Sequence, residues 1–240
     1  MPELLEVIGL HADYGTVPVL TDISIAVAQS SVVGIVGPNG HGKTTLLRSI
    51  SGMMPRLSGE ILLSGQSIAR RKPERIARSG IVHVPQGDLV YKNMTILENL
   101  LVGGYLNASA GVSTRQLERV FHLFPRLAER QGQSASTLSG GERRMPGIGR
   151  GLMMADAKLL LLDEPSLGLA PVIIEQIYAA IGVLSASGLT IIVVEENLGR
   201  AMSVADEIYL IERGTVAWKG SASEAASSGR ILETYFGSHA

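Results

Sequence analysis

Residues 37–45 read Gly37-Pro38-Asn39-Gly40-His41-Gly42-Lys43-Thr44-Thr45. An apolar run at residues 32–36 precedes this stretch, and residues 46–50 continue it with helical apolar spacing. The pattern G-x-x-x-x-G-K-[ST] between a buried strand and a helix is typical of a loop that binds phosphate groups. Glycines let backbone N–H groups converge on phosphate oxygens, and the helix N-terminus adds partial positive charge. The stretch therefore predicts a polyphosphate site in an α/β fold.

This phosphate loop, residues 37–45, supplies side chains with different predicted tasks. Lys43 is expected to reach the β- and γ-phosphates, and the Thr44 hydroxyl is expected to hold Mg²⁺. We treat every residue of the loop as a candidate nucleotide contact: Gly37, Pro38, Asn39, Gly40, His41, Gly42, Lys43, Thr44 and Thr45. His41 is unusual in such a loop. Its backbone N–H can bind phosphate with any side chain at this position, so we expect its ring to face outward.

A second signal is the run of four leucines at residues 159–162, which ends in Asp163, Glu164 and Pro165. It predicts a central parallel strand with two acids at its C-terminal end, the edge where open α/β sheets bind ligands. Asp163 suits the orientation of Mg²⁺, and Glu164 suits the positioning of an attacking water. The alternative is a strand that simply runs into an acidic turn.

A third signal is Leu138-Ser139-Gly140-Gly141-Glu142. It predicts a Gly-rich turn at a helix N-terminus with Ser139 as the N-cap, and therefore a second anion site. The alternative is an ordinary capped helix. Two such sites in one chain indicate a nucleotide that is held from two sides.

The overall composition excludes several classes of protein and of functional site. The formal net charge of −1 argues against a free-standing nucleic-acid binder, which usually carries a basic excess. The absence of cysteine excludes disulfides, thiolate metal sites and a cysteine nucleophile. Acidic Glu3 and Glu6 replace the basic start of a signal peptide, and no 18-residue apolar run is present. We therefore expect any membrane role to come through a partner.

The chain also shows a coarse order of elements. Strands are predicted at residues 4–10, 20–28, 32–36, 81–84, 158–162 and 189–194, with hairpins at 57–68 and 207–219. Helices are predicted at 43–52, 73–79, 172–185 and 198–205. A block from about residue 94 to 155 reads as helical, with a capping box at Thr95, periodicity over 115–129 and a helix candidate at 138–154.

These motifs, with Pro85-Gln86 between them, occur in the order and at the spacing of ABC-transporter ATPase subunits, which the chain resembles over residues 4–236. It is most similar to the branched-chain (hydrophobic) amino-acid uptake subset. The segments that carry this finer similarity are Phe124-Pro125-Arg126-Leu127, Ser166-Leu167-Gly168-Leu169-Ala170-Pro171 and Val193-Val194-Glu195-Glu196-Asn197. From the patterns and the resemblance together we predict an α/β P-loop NTPase (RecA-like) core with an N-terminal antiparallel β layer and an inserted helical subdomain. Residues 1–240 form one ABC ATPase domain in this prediction, with 1–89 and 156–240 as the catalytic core and 90–155 as the helical signature subdomain.

The resemblance implies roles around the nucleotide, with ATP and Mg²⁺ as cofactors. Tyr14 would stack on adenine, the alternative being a tyrosine of the core. Gln86 would contact Mg²⁺ and the attacking water and would report the nucleotide state to a membrane partner. Glu164 would act as general base, while Thr44, Gln86 and Asp163 would hold the metal.

The resemblance also implies an assembly. Ser139, Gly140, Gly141 and Glu142 would bind the γ-phosphate of ATP held by the other subunit of a homodimer or heterodimer. Residues 167–169 would lie across the dimer seam, and residues 87–105 would face one of two membrane-spanning permeases. An extracytoplasmic solute-binding protein would act indirectly, no nucleic acid is implied, and the chain would lie peripherally on the cytoplasmic face of the plasma (inner) membrane.

The implied function is ATP hydrolysis that drives uptake of branched-chain or other hydrophobic amino acids. Alternatives are an ABC ATPase for another solute (urea or amides, or lipid export), a soluble non-transport ABC ATPase, and a nucleotide-dependent regulatory module without turnover. The soluble class usually carries long coiled-coil insertions, whereas the segment between Gln86 and Ser139 is short and lacks heptads.

Two departures from the family pattern lead to expectations. Glu196 occupies the position where many ABC ATPases place a histidine that contacts the γ-phosphate, so it is a candidate catalytic residue. A carboxylate about 4 Å from a phosphate charge is repelled by roughly 4 kcal/mol at an effective dielectric near 20, so we expect no direct contact. Pro146 lies inside the predicted helix 138–154, so we expect a kink or a late start near residues 142–147.

Overall fold

Two β-sheets organise the part of the chain that this computed structural model describes, residues 2–15, 17–87, 90–107 and 110–236. The strands are β1 Glu3–Asp13, β2 Pro18–Ala28, β3 Val32–Val36, β4 Arg56–Leu63, β5 Gln66–Ser67, β6 Ile81–Val84, β7 Leu159–Asp163, β8 Thr190–Glu195, β9 Glu207–Glu212 and β10 Thr215–Ser221. The helices are α1 Lys43–Ile50, α2 Pro73–Arg78, α3 Ile96–Gly103, α4 Ala110–Leu123, α5 Pro125–Glu129, α6 Arg144–Leu152, α7 Pro171–Ala186, α8 Leu198–Met202, α9 Ala222–Ala225 and α10 Gly229–Phe236, with a short 3-10 helix at Ala135–Thr137.

The larger sheet has the strand order β10-β9-β3-β8-β7-β6. Strands β9, β3, β8, β7 and β6 pair in parallel, and only β10 pairs antiparallel, through its hairpin with β9. Strands β3, β7 and β8 are buried at every position, because helices cover one face and the second sheet covers the other. The carboxyl ends of the parallel strands therefore meet at one edge.

The smaller sheet is antiparallel, with the order β2-β1-β4-β5, and forms the predicted N-terminal β layer. Its buried side chains, such as Leu5 and Ile61, share one core cluster with Ile35 of β3, Leu47 of α1 and Leu161 of β7. Residues 58–59, which the sequence marks as a turn, lie within β4 instead. Gly59 has φ +93° there, and the register places it opposite two residues of β1, Gly9 and Leu10, so β1 carries a bulge at this point.

The opposite face of the large sheet carries the helices inserted between β6 and β7. Ile96, Phe124 and Ile148 of this insertion pack in one cluster with Val84 and Leu160 of the sheet. The described residues include no helix that combines the length and the apolar character needed to cross a membrane. The fold class thus agrees with the sequence-based prediction, whereas the exact subdomain boundaries stay a prediction.

The helix predicted over 115–129 is wrong as a single element, since the structure divides this region into α4 and α5. Phe124 lies between them with φ −131° and ψ 75°, outside the helical region. Pro125 follows directly; its ring disfavours helical geometry at the preceding residue, and it has no N–H to donate. Proline then begins α5, where its fixed φ suits a first turn.

The helix predicted over 138–154 begins late, at Arg144. Pro146 consequently lies in the first turn, where the missing N–H breaks no intrahelical hydrogen bond. A helix capped by Ser139 would place the proline ring against the carbonyl group of Glu142. The expected late start is confirmed, and Arg143, not Ser139, directly precedes α6. Ser139 caps the turn before this helix: its hydroxyl group accepts a hydrogen bond from the Glu142 N–H at 3.3 Å, and the Glu142 carboxylate accepts one from the Ser139 N–H at 2.9 Å.

Helix α3 begins with the predicted capping box. Thr95 Oγ1 accepts a hydrogen bond from the Glu98 N–H at 3.1 Å, and the Glu98 carboxylate accepts one from the Thr95 N–H at 2.7 Å. We expect Thr95→Ala to lower the free energy of unfolding by about 1 kcal/mol, because one helix N–H loses its partner. Thr95→Ser keeps the hydroxyl group and should retain most of the stability. Urea denaturation followed by circular dichroism measures both; equal stability of the Ala and Ser variants would contradict the prediction.

Candidate active site at the strand ends

The phosphate loop connects β3 to α1 with a backbone that only glycine fits at two points. Gly37 has φ +146°, and a Cβ there would lie 2.1 Å from the carbonyl oxygen of Ile211. Gly42 has φ +105° and precedes α1, and a Cβ there would lie 2.6 Å from Leu20 Cδ2. The first N–H groups of α1 lack intrahelical partners by geometry, so the loop presents donors toward its own concavity.

Lys43 lies inside this concavity and is only 4% exposed. Its Nζ donates to the carbonyl oxygens of Gly37 at 2.7 Å and Pro38 at 3.1 Å. The Glu164 carboxylate lies 3.8 Å from the same nitrogen. Burial lowers the pKa of Lys43, and the negative charge of Glu164 opposes that shift. A cation held in this way is a suitable partner for phosphate oxygens.

Thr44 and Asp163 meet from two distant parts of the sequence. Thr44 Oγ1 donates to Asp163 Oδ1 at 3.1 Å, and Asp163 has no exposed surface. Burial raises the pKa of Asp163, and the Thr44 hydrogen bond opposes the shift. Asp163 Oδ2 is buried without a hydrogen-bond partner among the described residues.

This pair fits Mg²⁺, which takes oxygen ligands and is commonly held by one or two carboxylates together with substrate phosphates. The unpartnered Oδ2 and the adjacent hydroxyl group are such ligands. The described residues hold no group of three or more His, Cys, Asp or Glu side chains that would bind a metal alone.

Glu164 and Gln86 form the second pair. Gln86 Nε2 donates to Glu164 Oε2 at 3.0 Å. Glu164 is 7% exposed and has φ +45°, an uncommon value for a residue other than glycine. Burial raises the pKa of its carboxyl group, and Lys43 opposes that shift. A buried carboxylate with a raised pKa, oriented by an amide donor, suits the acceptance of a proton from water.

Lys43, Thr44, Gln86 and Glu164 line one cavity of about 340 Å³ between β3, β7 and the segment after β6, and buried Asp163 contacts Thr44 without lining it. Of the predicted site it contains Asn39, Gly40, Gly42, Lys43, Thr44, Thr45, Gln86 and Glu164. Tyr14 lies outside this lining and is 53% exposed. Arg48 of α1 donates to the Tyr14 hydroxyl group at 3.1 Å, which ties this ring to the helix that follows the loop.

His41 is not simply an outward-facing side chain. The residue is half-buried, and its Nδ1 is buried without a hydrogen-bond partner among the described residues. Its carbonyl oxygen accepts a hydrogen bond from the Gly214 N–H at 3.1 Å. The backbone of His41 thus anchors the loop to the turn between β9 and β10.

The signature segment, residues 138–142, lies beside this cavity but does not line it. Gly140 and Gly141 line a neighbouring cavity of about 450 Å³ with Gln86, Glu164 and Leu167. Ser139 and Gly140 are exposed. Glu142 Oε2 accepts from the Ser139 N–H at 2.9 Å, and Arg130 donates to Glu142 Oε1 at 2.6 Å. The segment is thus preformed and faces outward.

Two consecutive glutamates end β8 with different surroundings. Glu196 is exposed and lines a third cavity, of about 400 Å³, which Glu164 also lines. Glu195 is 2% exposed and accepts hydrogen bonds from Ser166 Oγ at 2.9 Å and Tyr178 OH at 2.7 Å. Sequence reasoning missed this role of Glu195; the available signal was a carboxylate within a run of buried apolar residues.

Sequence reasoning also missed Arg144. Its side chain is 6% exposed and points between the Gln86 segment, defined as residues 85–87, and the end of β7. The available signal was a charged residue directly before the uncharged run Met145–Gly149. Glu195 and Arg144 both form hydrogen bonds that hold other protein groups in place. Sequence motifs describe residues that contact ligands, so they do not identify residues of this kind.

Comparison with known proteins adds an independent finding. A family model described as ABC transporter matches residues 20–167 of the 240. The chain is 39% identical over 224 residues to the high-affinity branched-chain amino acid transport ATP-binding protein BraG of Pseudomonas aeruginosa, with 93% of this chain and 95% of that protein covered. It is 31% identical to the lipopolysaccharide export system ATP-binding protein LptB of Escherichia coli, with 91% of each chain covered. The solved ADP conformation of MJ1267, an ATP-binding cassette of an ABC transporter, superimposes with a TM-score of 0.85 at 26% identity and covers 99% of this chain and 100% of that chain.

The contacts of Glu142 predict a pH dependence of stability. The Ser139 N–H and hydroxyl groups, with Arg130, lower its pKa from 4.5 to about 2. A carboxylate with a lowered folded-state pKa stabilises the fold above its unfolded value and loses this contribution as the pH falls toward 2. We expect Glu142→Gln to be less stable than the original chain by about 1 kcal/mol at pH 7, with a gap that closes below pH 4.5.

Thermal unfolding between pH 3 and pH 8 measures this gap. Glu129→Gln removes the same charge at an exposed position of α5 and serves as the matched control. A gap that stays constant across the pH range, or one that the control reproduces, would contradict the contribution of the Glu142 charge.

Proposed function

The chain belongs to the ABC transporter family and is an ATP-hydrolysing subunit of that family, and from this premise we propose that it drives uptake of branched-chain or other hydrophobic amino acids. The observation that carries the catalytic part is that Lys43, Thr44, Gln86 and Glu164 line one cavity, with buried Asp163 bonded to Thr44 behind it. The solute is inferred from the similarity to BraG.

In this proposal the phosphate loop binds the β- and γ-phosphates of ATP. The Lys43 ammonium group exchanges its hydrogen bonds to the Gly37 and Pro38 carbonyl groups for bonds to phosphate oxygens. Thr44 and Asp163, with Gln86, hold Mg²⁺, which when bound neutralises charge on the transferred phosphoryl group. Tyr14 supplies an aromatic face for adenine, with its hydroxyl group fixed by Arg48.

Glu164 accepts the proton of the attacking water. Its burial raises the pKa of the carboxyl group toward the working pH, which favours proton acceptance, while nearby Lys43 keeps the carboxylate ionised. The Gln86 amide orients Glu164 Oε2, whereas Oε1 lies 3.8 Å from Lys43 Nζ and is proposed to face the water once Lys43 binds the phosphates. Glu196 remains outside the phosphate cavity in this scheme and acts only through its charge.

We propose a dimer in which the signature segment of one subunit faces the phosphates bound by the other. Two features support this arrangement. Ser139 and Gly140 are exposed and do not line the chain's own phosphate cavity, and Leu167, at the seam predicted for residues 167–169, is 50% exposed. A homodimer and a heterodimer with a second ABC ATPase both fit this surface. The helical block at residues 90–155 carries the signature segment and is proposed to move as a unit with it.

The membrane partner is proposed to contact residues 87–105, of which residues 88 and 89 lie outside the described residues. This region exposes large apolar side chains, namely Tyr91, Met94, Leu101, Val102 and Tyr105. Exposed apolar groups gathered on one surface mark interaction sites. Two permeases would dock there, with a solute-binding protein acting from the other side of the plasma (inner) membrane.

The catalytic proposal is tested by Glu164→Gln, which keeps the shape and removes the proton acceptor. We expect ATP hydrolysis to fall by about 10²–10⁴-fold. Binding of ATP, measured by titration calorimetry, should change by less than about threefold, because Lys43 and the loop are intact. Lys43→Ala should lose binding and hydrolysis together.

Glu196→Ala is the matched control, since it removes a neighbouring carboxylate that we place outside the phosphate cavity. It should keep far more hydrolysis than Lys43→Ala. Full loss of hydrolysis in Glu196→Ala, or normal turnover in Glu164→Gln, would overturn these assignments.

The solute is tested by uptake in cells of the source organism that lack this chain. We expect uptake of radiolabelled leucine to be lost, restored by the original chain, and not restored by Glu164→Gln. Unchanged leucine uptake together with lost urea uptake or lost lipid export would assign the subunit to one of those systems instead. Among these alternatives, lipid export is supported by the similarity of the chain to LptB.

A further inference from the structure

Arg144 is the first residue of α6, two positions after the end of the signature segment, and it is almost fully buried. One terminal nitrogen, Nη1, donates to the carbonyl oxygens of Pro85 at 2.9 Å and Gly87 at 3.1 Å. The other, Nη2, donates to the carbonyl oxygens of Asp163 at 2.6 Å and Glu164 at 3.2 Å. The guanidinium group therefore joins the Gln86 segment, through Nη1, to the end of β7, through Nη2.

Those four carbonyl groups surround the catalytic pair. Pro85 and Gly87 flank Gln86, and Glu164 is the partner of Gln86 in the 3.0 Å hydrogen bond. That hydrogen bond spans 78 positions in the sequence and lies at the ends of two adjacent parallel strands. A small shift of either main chain would separate the amide from the carboxylate. Arg144 holds both main chains from a third element, α6.

We propose that Arg144 is a positioning residue for ATP hydrolysis, which keeps the Gln86 segment in register with Glu164 and links both to the signature helix. The proposal rests on the roles proposed above for Gln86 and Glu164. The four hydrogen bonds of Arg144 described above go to main-chain carbonyl groups and not to the Gln86 or Glu164 side chain, so Arg144 acts through the backbone.

The chemistry of the position favours arginine. A planar guanidinium group presents its donors in a fixed fork, so it can serve two carbonyl groups on each side at once. A lysine ammonium group has three donors on a single nitrogen and cannot span both loops. A buried cation also needs compensation, which the four carbonyl oxygens and the nearby carboxylates of Asp163, Glu164 and Glu195 supply.

A shift of the Gln86 segment would break the two Nη1 hydrogen bonds and leave the two Nη2 bonds in place. Buried donors without partners are unfavourable, so the Nη1 bonds favour one position of the segment. The region proposed to face the permease begins at Gly87. Arg144 thus couples movement at that surface to the geometry around Glu164 and to α6.

The test uses Arg144→Lys and Arg144→Gln in the full chain, with Arg150→Lys as the matched control. Arg150 lies on the same helix, is partly buried, and stacks over the Tyr91 ring at 4.9 Å, away from the phosphate cavity. We expect kcat to fall about 10- to 100-fold in both Arg144 variants, because misplacement of reacting groups is costly. The Kd for ATP should change less than about threefold, and Arg150→Lys should keep kcat within about twofold.

A double-mutant cycle separates positioning from a general structural effect. If Arg144 acts through the Gln86–Glu164 contact, Arg144→Lys should add less than about a further twofold loss in a chain that already carries Gln86→Ala. The proposal would be overturned if the losses of kcat in Arg144→Lys and Gln86→Ala multiplied in the double variant, or if Arg144→Lys kept a kcat like that of Arg150→Lys. Either result would leave the proposed ATP hydrolysis by the original chain standing.

Hydrogen exchange gives a readout that does not depend on turnover. In Arg144→Lys, amide protection should fall selectively in peptides that cover residues 81–87 and 163–167, whereas protection across β1 and β2 should remain. Unchanged protection at both segments, or an equal loss throughout the chain, would contradict the positioning role. Absence of hydrolysis in the original chain would instead overturn the proposed function, and the exchange result would still decide whether Arg144 holds the two loops.

Discussion

The parallel pairing of β3, β8, β7 and β6 is the constraint on which the site depends. Parallel neighbours end at the same edge of a sheet, so residues near positions 36, 84, 163 and 195 meet there although the sequence separates them widely. The phosphate loop, the Gln86 segment, the two acids and Glu195 each follow one of these strands. A change of register between β7 and its neighbours would disperse every polar pair described above.

Charge balance is the second requirement of this edge. Lys43, Asp163, Glu164, Glu195 and Arg144 are all less than a tenth exposed, and buried charges are stable only when they are paired. Lys43 faces Glu164, Thr44 serves one oxygen of Asp163, and Arg144 takes four carbonyl groups. Asp163 Oδ2 and Arg144 Nε are buried without hydrogen-bond partners among the described residues, and a cation with a nucleotide would supply the partner of Asp163.

The strand-loop-helix at residues 32–50 and the acids after β7 were predictable from the sequence, because each is local and has a strict residue pattern. The fold class followed from them and from the family resemblance. The break at Phe124 was not predicted, since apolar periodicity continues across Pro125. The Ser139–Glu142 capping pair forms as its sequence pattern indicates, but in the turn before α6 and not at the first turn of that helix. Glu195 and Arg144 were missed for another reason: their partners are backbone or hydroxyl groups far away in sequence, which only the tertiary fold brings near.

The central claim is that Asp163 and the phosphate loop meet one nucleotide through Mg²⁺. Titration calorimetry of ATP with and without Mg²⁺, on the original chain and on Asp163→Asn, tests it most directly. The asparagine keeps the acceptor for Thr44 and removes the charge that a cation needs. We predict that Mg²⁺ strengthens ATP binding in the original chain, that this gain falls about tenfold in Asp163→Asn, and that binding without Mg²⁺ is similar in both. An equal effect of Mg²⁺ in the two chains would contradict the account.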